Sequence, residues 1–215
     1  MSAFARHLET VPLAAETIAD IVQLMDEHHL VATAATNDAR IRFGAGLGRF
    51  LGSMRDVEIC HLHGKYVTDL DSFCNQLEHA LIGPPLARKL NGRDGVVSLL
   101  RRRETITRIR APRLRYYIWH DADELLIENR PLFSMLTDTI VGVAAESEYV
   151  DDDLLLIQRL LLLGGEALGE YARDPRGQCR SWLRDEAGLA RWRLTTGVRK
   201  PAFLRYSIDT GRVEH

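Results

Sequence analysis

Three acidic residues follow directly on an apolar, aromatic run in the middle of the chain. Residues 115–120 read RYYIWH, and Asp121, Asp123 and Glu124 come immediately after them. Such a run is typical of a buried strand in a parallel sheet, and open α/β sheets bind ligands beyond the carboxyl ends of their strands. Carboxylates at such an end commonly hold Mg²⁺ against a nucleotide. The sequence therefore predicts Asp121, Asp123 and Glu124 as metal ligands.

The phosphate loop that such acids normally accompany is missing. The pattern G-x-x-x-x-G-K-[ST] occurs nowhere in the 215 residues. Residues 44–49, GAGLGR, are rich in glycine and end in a cation, but they match no phosphate-binding pattern. Gly64-Lys65 lacks both the upstream glycine and the hydroxyl residue. We interpret the first segment as a flexible helix and the second as a turn between a strand and a helix.

A basic cluster precedes the acid-tipped strand. Its side chains could contact nucleic-acid phosphates or an acidic partner surface. They could equally form a solvated helix end, where cations suit the helix dipole. The candidates are Arg101, Arg102, Arg103, Arg108 and Arg110, with Arg113 and Arg115 further along the same connector.

Histidines near two predicted strand ends are further candidates. His61 and His63 lie two residues apart, so both rings face the same side of a strand. They could bind a metal, but no third ligand has a recognisable spacing, and a structural role is the favoured interpretation. His120 beside Asp121 could act as a general base, although a hydrogen-bonded histidine at a strand end is the commoner case.

Short apolar strands alternate with amphipathic helices through residues 14–165. This alternation predicts a three-layer α/β fold, in which helices flank a mostly parallel sheet. Residues 1–165 would form the core, including an N-terminal helix, and residues 166–215 a small C-terminal extension packed on it. The segment 154–165, LLLIQRLLLLGG, could be a strand or a buried helix. Predicted strands are 30–35, 57–62, 114–120 and 202–208; predicted helices are 14–28, 41–51, 70–81, 94–103 and 132–145.

Composition excludes several classes of protein. Hydrophobic residues make up 46% of the chain, charged residues 27%, and the net charge is −2, which predicts neither bulk affinity for nucleic acid nor a membrane-binding surface. Three cysteines without C-x-x-C spacing argue against a disulfide framework and a zinc ribbon. No signal peptide and no apolar run of membrane-spanning length is evident, so we expect a cytoplasmic protein.

The order of strand, helix and acid-tipped strand resembles the core of P-loop NTPases of the AAA and RecA-like type. The resemblance covers about residues 28–165, and the segment 114–126 resembles a Walker B strand, in which apolar residues precede Asp-Glu. It implies that Asp121 or Asp123 would hold Mg²⁺ and that Glu124 would polarise the attacking water.

The chain departs from this family where the phosphate loop should lie. After the first predicted strand, residues 33–42 read TAATNDARIR, without a glycine pair or Lys-Ser/Thr. Arg40 or Arg42 could supply charge to a phosphate or nucleotide, but not the backbone cradle. Losing two or three charge-assisted hydrogen bonds, each worth about 1.5–3 kcal/mol, costs about 10²–10⁵ in affinity. We expect no ordinary ATPase activity and no cofactor, with Mg²⁺ or nucleotide bound weakly at most.

These observations predict a non-hydrolysing AAA/RecA-like binding or regulatory protein that docks a protein partner or itself. One alternative is a metal- and phosphate-dependent enzyme that uses Asp121, Asp123 and Glu124. A second is a nucleic-acid-binding protein that uses the basic cluster. A third is a barstar-type inhibitor, because residues 57–146 resemble that order of elements. Barstar-type proteins use an acidic helix, however, whereas the helix predicted at 94–103 ends in three arginines.

Overall fold

The computed structural model describes residues 15–82, 90–102, 114–147, 156–173 and 203–214. The predicted helices and strands occur in the predicted order, with further elements at 122–128, 166–173 and 212–214 that were not predicted. A 3₁₀ turn, Gly64–Tyr66, follows the second strand. The helices are α1 (Ala15–Glu27), α2 (Asn37–Gly52), α3 (Leu70–Leu81), α4 (Gly92–Arg101), α5 (Ala122–Glu128), α6 (Arg130–Ser147) and α7 (Glu166–Arg173). The strands are β1 (His29–Thr33), β2 (Val57–His63), β3 (Leu114–His120), β4 (Ile157–Gly164), β5 (Phe203–Ser207) and β6 (Arg212–Glu214).

All six strands join one sheet in the order β2-β3-β4-β1-β5-β6. The first five are parallel, and β6 pairs antiparallel with β5. The carboxyl ends of β1 to β5 therefore lie at the same edge of the sheet, where open α/β folds bind ligands. The predicted fold class, an α/β architecture with a mostly parallel sheet flanked by helices, is confirmed.

Each face of the sheet packs against its own helices. On one face, the buried Trp119 of β3 lies between Phe73 of α3 and Phe133 of α6, with ring centroids 5.4 and 5.6 Å away. On the other face, Phe43 of α2 lies 5.9 Å from the ring of Tyr206 in β5. Two apolar cores separated by the sheet hold the strand ends in fixed relative positions.

Side-chain hydrogen bonds cap the N-termini of two helices that border the sheet edge. The Thr36 hydroxyl accepts a hydrogen bond from the Ala39 amide at 3.3 Å and so caps α2. Asp69 and Ser72 form a capping box at the start of α3. The glycines of α2 do not prevent a helix, because Gly44 and Gly48 face the sheet and allow a close approach to it.

The strand predicted at 114–120 is confirmed, but the rest of the Walker B-like segment, up to residue 126, does not continue it. Asp121 has a left-handed conformation with φ of 49°, which stops the strand, and α5 begins at Ala122. Ala122, Leu125 and Leu126 are buried at helical spacing. The packing of these three side chains outweighs the strand propensity of the apolar run.

The ambiguous apolar segment contains β4, which lies between β3 and β1. A strand buried on both faces carries no alternation of polar and apolar residues, and this explains its uniform leucines. The described part of residues 166–215 contributes α7, β5 and β6, and β5 pairs with β1 in the same sheet. The domain boundary at residue 165 stays a prediction. Among the described residues, no helix is long and apolar enough to cross a membrane.

Candidate functional site

An ion pair connects the carboxyl ends of the central strands. Asp123, in the first turn of α5, accepts a hydrogen bond from the Gly165 amide at the end of β4, with a distance of 2.8 Å. The same oxygen lies 4.0 Å from Nη1 of Arg40 in α2. Nη1 also donates to the carbonyl of Ala34, just after β1, at 3.3 Å. Asp123 and Arg40 therefore tie the elements that follow β1, β3 and β4 to one another.

This pair is largely shielded from solvent. The side chains of Arg40 and Asp123 are 17% and 14% exposed. Nε of Arg40 is buried and has no hydrogen-bond partner among the residues described. A Cβ at Gly165 would come 2.5 Å from Nη1 of Arg40 and 3.0 Å from the Asp123 carboxylate, so this position leaves no room for a side chain. The guanidinium thus lies beside the carboxylate that was predicted to hold a metal.

Removing the Asp123 carboxylate should destabilise the protein. We expect Asp123→Ala to cost about 1–3 kcal/mol, because the Gly165 amide and the Arg40 guanidinium would both lose a partner in a shielded place. Urea unfolding of the variant measures this cost. Glu124→Ala is the matched control; its side chain is exposed, and its effect should stay within about 0.5 kcal/mol. Equal costs for the two variants would contradict the role given to Asp123.

The other predicted site residues do not join this pair. Arg42 lies one turn from Asp38 on the surface of α2 and pairs with it at 2.9 Å. Glu124 is exposed; desolvation, followed by repulsion from Asp121 and Asp123, raises the pKa of its carboxyl. In the ranges that the structure describes, no group of three or more His, Cys, Asp or Glu side chains is arranged to hold a metal ion. The metal role of the three acids stays a prediction.

The basic cluster is described only in part. Arg101 forms an exposed ion pair with Glu146 at 2.6 Å, and Arg102 ends the described segment after α4. Arg103, Arg108, Arg110 and Arg113 lie outside the described residues.

Arg115 is not an accessible member of this cluster, and that part of the prediction is wrong. Its side chain is buried in β3, and its Nε donates to the Glu58 carboxylate at 2.6 Å. The physical reason is strand register, because Glu58 lies directly opposite Arg115 in β2 and points to the same face of the sheet.

Three histidine rings form a second polar cluster, which the sequence alone did not predict. His63 pairs with His120 across β2 and β3, and His61 lies on the same face two residues earlier. Nδ1 of His61 is 2.9 Å from Nε2 of His120, so the two rings share a hydrogen bond. The ring of His120 is 5.2 Å from that of His61 and 4.8 Å from that of His63. The sequence shows the H-x-H spacing of His61 and His63. That His120 lies against them became evident only from the pairing of β2 with β3.

The pKa of each of these three rings is lowered, chiefly by desolvation. Burial lowers the pKa of His120 to about 3, with further lowering by His61 and His63. Burial also lowers the pKa of His61, and His63 adds to that effect. Desolvation lowers the pKa of His63 as well, while Asp121 opposes the shift and Lys65 adds to it. All three shifts favour the neutral form of the rings.

This cluster should make stability depend on pH. The unfolded chain takes up a proton at His120 below about pH 6.5, whereas the folded protein resists doing so until near pH 3. The contribution of the neutral His120 ring to the free energy of unfolding is therefore fully present above about pH 6.5, and it is lost as the pH falls toward 3. Urea midpoints between pH 7.5 and pH 5 should fall more steeply for wild type than for His120→Asn. The exposed His79 gives the control, since His79→Asn should keep the wild-type slope. Identical slopes in all three proteins would contradict the prediction.

Comparison with solved structures finds a general resemblance to Drosophila ORC. The structure bound to GC-rich DNA and Cdc6 has a TM-score of 0.48 at 14% identity, over 97% of this chain and 30% of that chain. The structure bound to DNA has a TM-score of 0.47 at 15% identity, with the same shares covered. The structure bound to poly(dA/dT) DNA and Cdc6 has a TM-score of 0.47 at 14% identity. The chain thus spans about 30% of the length of the chains it matches. No family model and no curated protein matches the sequence.

Proposed function

We propose that the chain is a non-hydrolysing AAA/RecA-like binding or regulatory component that docks a protein partner. The observation that carries this proposal is the contact of Arg40 and Asp123 at the carboxyl ends of the central strands. A nucleotide site needs a free cationic cradle for phosphate and a free carboxylate for Mg²⁺. Here the candidate cation and the candidate carboxylate engage each other.

The energetic argument favours a scaffold over an ATPase. Mg²⁺ at Oδ2 of Asp123 would have to displace the Gly165 amide, and it would be repelled by the Arg40 guanidinium, which lies 4.0 Å from that oxygen. A phosphate at Arg40 would have to compete with Asp123 for the same guanidinium. Each charge-assisted hydrogen bond lost is worth about 1.5–3 kcal/mol, and the residues after β1 offer no glycine cradle in compensation.

The open edge of β2 supports docking. Among the described residues β2 is the last strand on its side of the sheet, and at its end Gln76 bonds the amide and carbonyl of His63 at 2.9 and 3.1 Å. The alternation of a strand directs the backbone groups of Ile59 and His61 to the same open side. Exposed Tyr66 follows this strand, and an open edge with exposed aromatic surface suits an extended segment of a partner protein.

Steady-state ATP hydrolysis tests the first half of the proposal. With millimolar ATP and Mg²⁺, we expect no turnover from wild type, Asp123→Ala or Glu124→Ala. Turnover by wild type that both substitutions abolish would overturn the proposal, because it would show a working nucleotide site at these acids.

Co-purification tests the second half. A partner that elutes with wild type in one fixed ratio should be lost from Tyr66→Asp. Ile127→Asp is the control, because Ile127 is also an exposed apolar residue, 70% against 60% for Tyr66, but lies on α5 rather than on β2 or its 3₁₀ turn, and it should retain the partner. Loss of the partner from both variants, or from neither, would speak against docking at the β2 edge.

A further inference from the structure

Two residues on the open side of β2 have unpaired backbone groups. The backbone groups of a strand alternate between its two sides, and the carbonyl of Asp56, just before β2, accepts the first amide of β3. Every second residue from Asp56 onward therefore faces β3, and the residues between them face the open side. From that side Gln76 bonds the amide and carbonyl of His63. Among the described residues, the amides and carbonyls of Ile59 and His61 stay unpaired.

These groups are complementary to themselves across a two-fold axis. If a second copy of β2 runs antiparallel with Cys60 opposite Cys60, Ile59 of each copy lies opposite His61 of the other. Outward-facing residues that lie opposite each other exchange two hydrogen bonds. The two pairs together satisfy every open group of Ile59 and His61. A centre at His61 would instead place Ile59 against His63, whose backbone Gln76 already holds.

β2 lacks the features that protect natural sheet edges. Such edges are commonly very short, or they carry lysine, proline or a bulge. β2 has seven residues and contains neither proline nor lysine. Its one carboxylate, on Glu58, is buried against Arg115 on the side of β3. Nothing in the strand itself therefore prevents a second strand from pairing with it.

The groove between β2 and α3 carries no carboxylate, ammonium or guanidinium group. It has a volume of about 640 Å³, and the described residues of its walls, which include His61, Asn75, His79 and Ala80, contain no Asp, Glu, Lys or Arg. A two-fold axis brings each group against the same surface of the second copy. Walls with a strong charge of one sign would therefore repel each other, and these walls have none.

Exposed apolar side chains lie at both ends of β2. Phe50 in the last turn of α2 and Met54 just after it are 40% and 38% exposed, and Tyr66 after β2 is 60% exposed. α2 packs on the face to which Ile59 and His63 point, and the ring of Tyr66 lies 5.9 Å from that of His63. Antiparallel pairing places the start of one β2 beside the end of the other. Tyr66 of each copy would thus approach Phe50 and Met54 of the other.

The area of these side chains indicates a weak dimer. A stable interface buries about 800 Å² on each partner. An aromatic side chain has about 150–250 Å² to bury, so the exposed fractions of Phe50 and Tyr66 together supply about 150–250 Å². The strands and the groove walls must supply the rest. We therefore expect a dimer that dissociates on dilution.

We propose that the partner docked at the β2 edge is a second copy of this chain, joined by antiparallel pairing of the two β2 strands about a two-fold axis at Cys60. One continuous sheet then runs through both copies. This inference rests on the proposed docking function, because it names the partner of that surface.

Sedimentation equilibrium of the purified chain tests the proposal. Between about 1 and 100 µM, the range in which an interface of modest area dissociates, the mean mass should rise from 24.3 kDa toward twice that value. Ile59→Lys places a charge in the paired stretch, and Tyr66→Asp removes the exposed aromatic ring. Each should raise the Kd of the dimer at least about tenfold.

Two comparisons separate a lost interface from a lost fold. Ile127→Lys adds the same charge to an exposed apolar position on α5 and should dimerise as wild type does. Circular dichroism should show that the variants are folded. Tyr66 is exposed, so Tyr66→Asp should keep the fold even if Ile59→Lys does not.

Amide hydrogen exchange tests the register. The amides of Ile59 and His61 should exchange more slowly at high protein concentration than at low concentration, because only the dimer pairs them. The amide of Cys60 faces β3 and should exchange at one rate at both concentrations. Exchange of Ile59 and His61 that does not depend on concentration would overturn the pairing.

The remaining outcomes distinguish this inference from the docking function. A monomer over the whole range would overturn the inference. A dimer that survives both Ile59→Lys and Tyr66→Asp, or one that is lost in Ile127→Lys, would also overturn it. A monomer that co-purifies with a different protein, and loses it in Tyr66→Asp, would leave the docking function intact and reject only the second copy as the partner.

Discussion

Replacing Arg115 by alanine should destabilise the protein by about 3–5 kcal/mol, because the substitution leaves a buried carboxylate without its partner. The side chain of Arg115 is 0% exposed, that of Glu58 is 8% exposed, and their charged atoms are 2.6 Å apart. The same guanidinium donates to the carbonyls of Leu100 and Arg102 at 3.0 and 2.6 Å. Arg115 thus joins β3, β2 and the end of α4, and its loss would leave several buried polar groups unsatisfied.

The exposed pair of Arg101 and Glu146 provides the control for this prediction. Its N–O distance is also 2.6 Å, but its side chains are 58% and 61% exposed. Arg101→Ala should therefore cost no more than about 1 kcal/mol. Urea unfolding of both variants measures the difference that burial makes. Similar costs would show that Arg115 is not the structural ion-pair residue described above. Replacing Arg115 and Glu58 together by methionine should recover part of the loss.

Gly64→Ala should have the second large effect, about 1–3 kcal/mol or more, because the new methyl group would overlap backbone rather than a flexible side chain. A Cβ at Gly64 would overlap the carbonyl oxygen of Asp121 and lie 3.3 Å from Cα of Ala122. The end of β2 and the turn between β3 and α5 would have to separate. That turn follows His120 and contains Asp121, so the position of both residues depends on this close contact.

Gly142→Ala is the matched control for that substitution. Gly142 lies within α6, and a Cβ there would meet nothing within 4 Å. Alanine lowers the entropy of the unfolded chain and has the higher helix propensity, so this variant should gain about 0.4–1 kcal/mol. Thermal unfolding should then shift in opposite directions for the two glycine variants. A loss of stability in both would show that the close contact at Gly64 is not the cause.

Local sequence patterns predicted most helices and strands, because the formation of these elements depends mainly on residues that are close in the sequence. Helical spacing located α3, and the aromatic run located β3, whose Trp119 is buried. The pattern failed after His120, where the left-handed turn at Asp121 and the burial of Leu125 favour a helix. It also could not assign β4, because a strand buried on both faces looks like a buried helix.

The candidate sites depended on contacts between distant segments, which a single sequence does not reveal. Arg40 was considered for its charge, but its partner Asp123 became evident only in the sheet. His120 was considered alone, although the register of β2 and β3 places it against two other histidines. Arg115 was grouped with surface arginines, because nothing in its local sequence shows that Glu58 lies opposite.

Calorimetric titration of the wild-type chain and of Asp123→Ala with millimolar Mg·ATP tests the central claim most directly. The contact of Arg40 with Asp123 predicts no saturable heat from either protein, because the cation that would bind phosphate lies 4.0 Å from the carboxylate that would bind the metal. Saturable binding by wild type that Asp123→Ala abolishes would contradict the claim and would identify the strand ends as a nucleotide site.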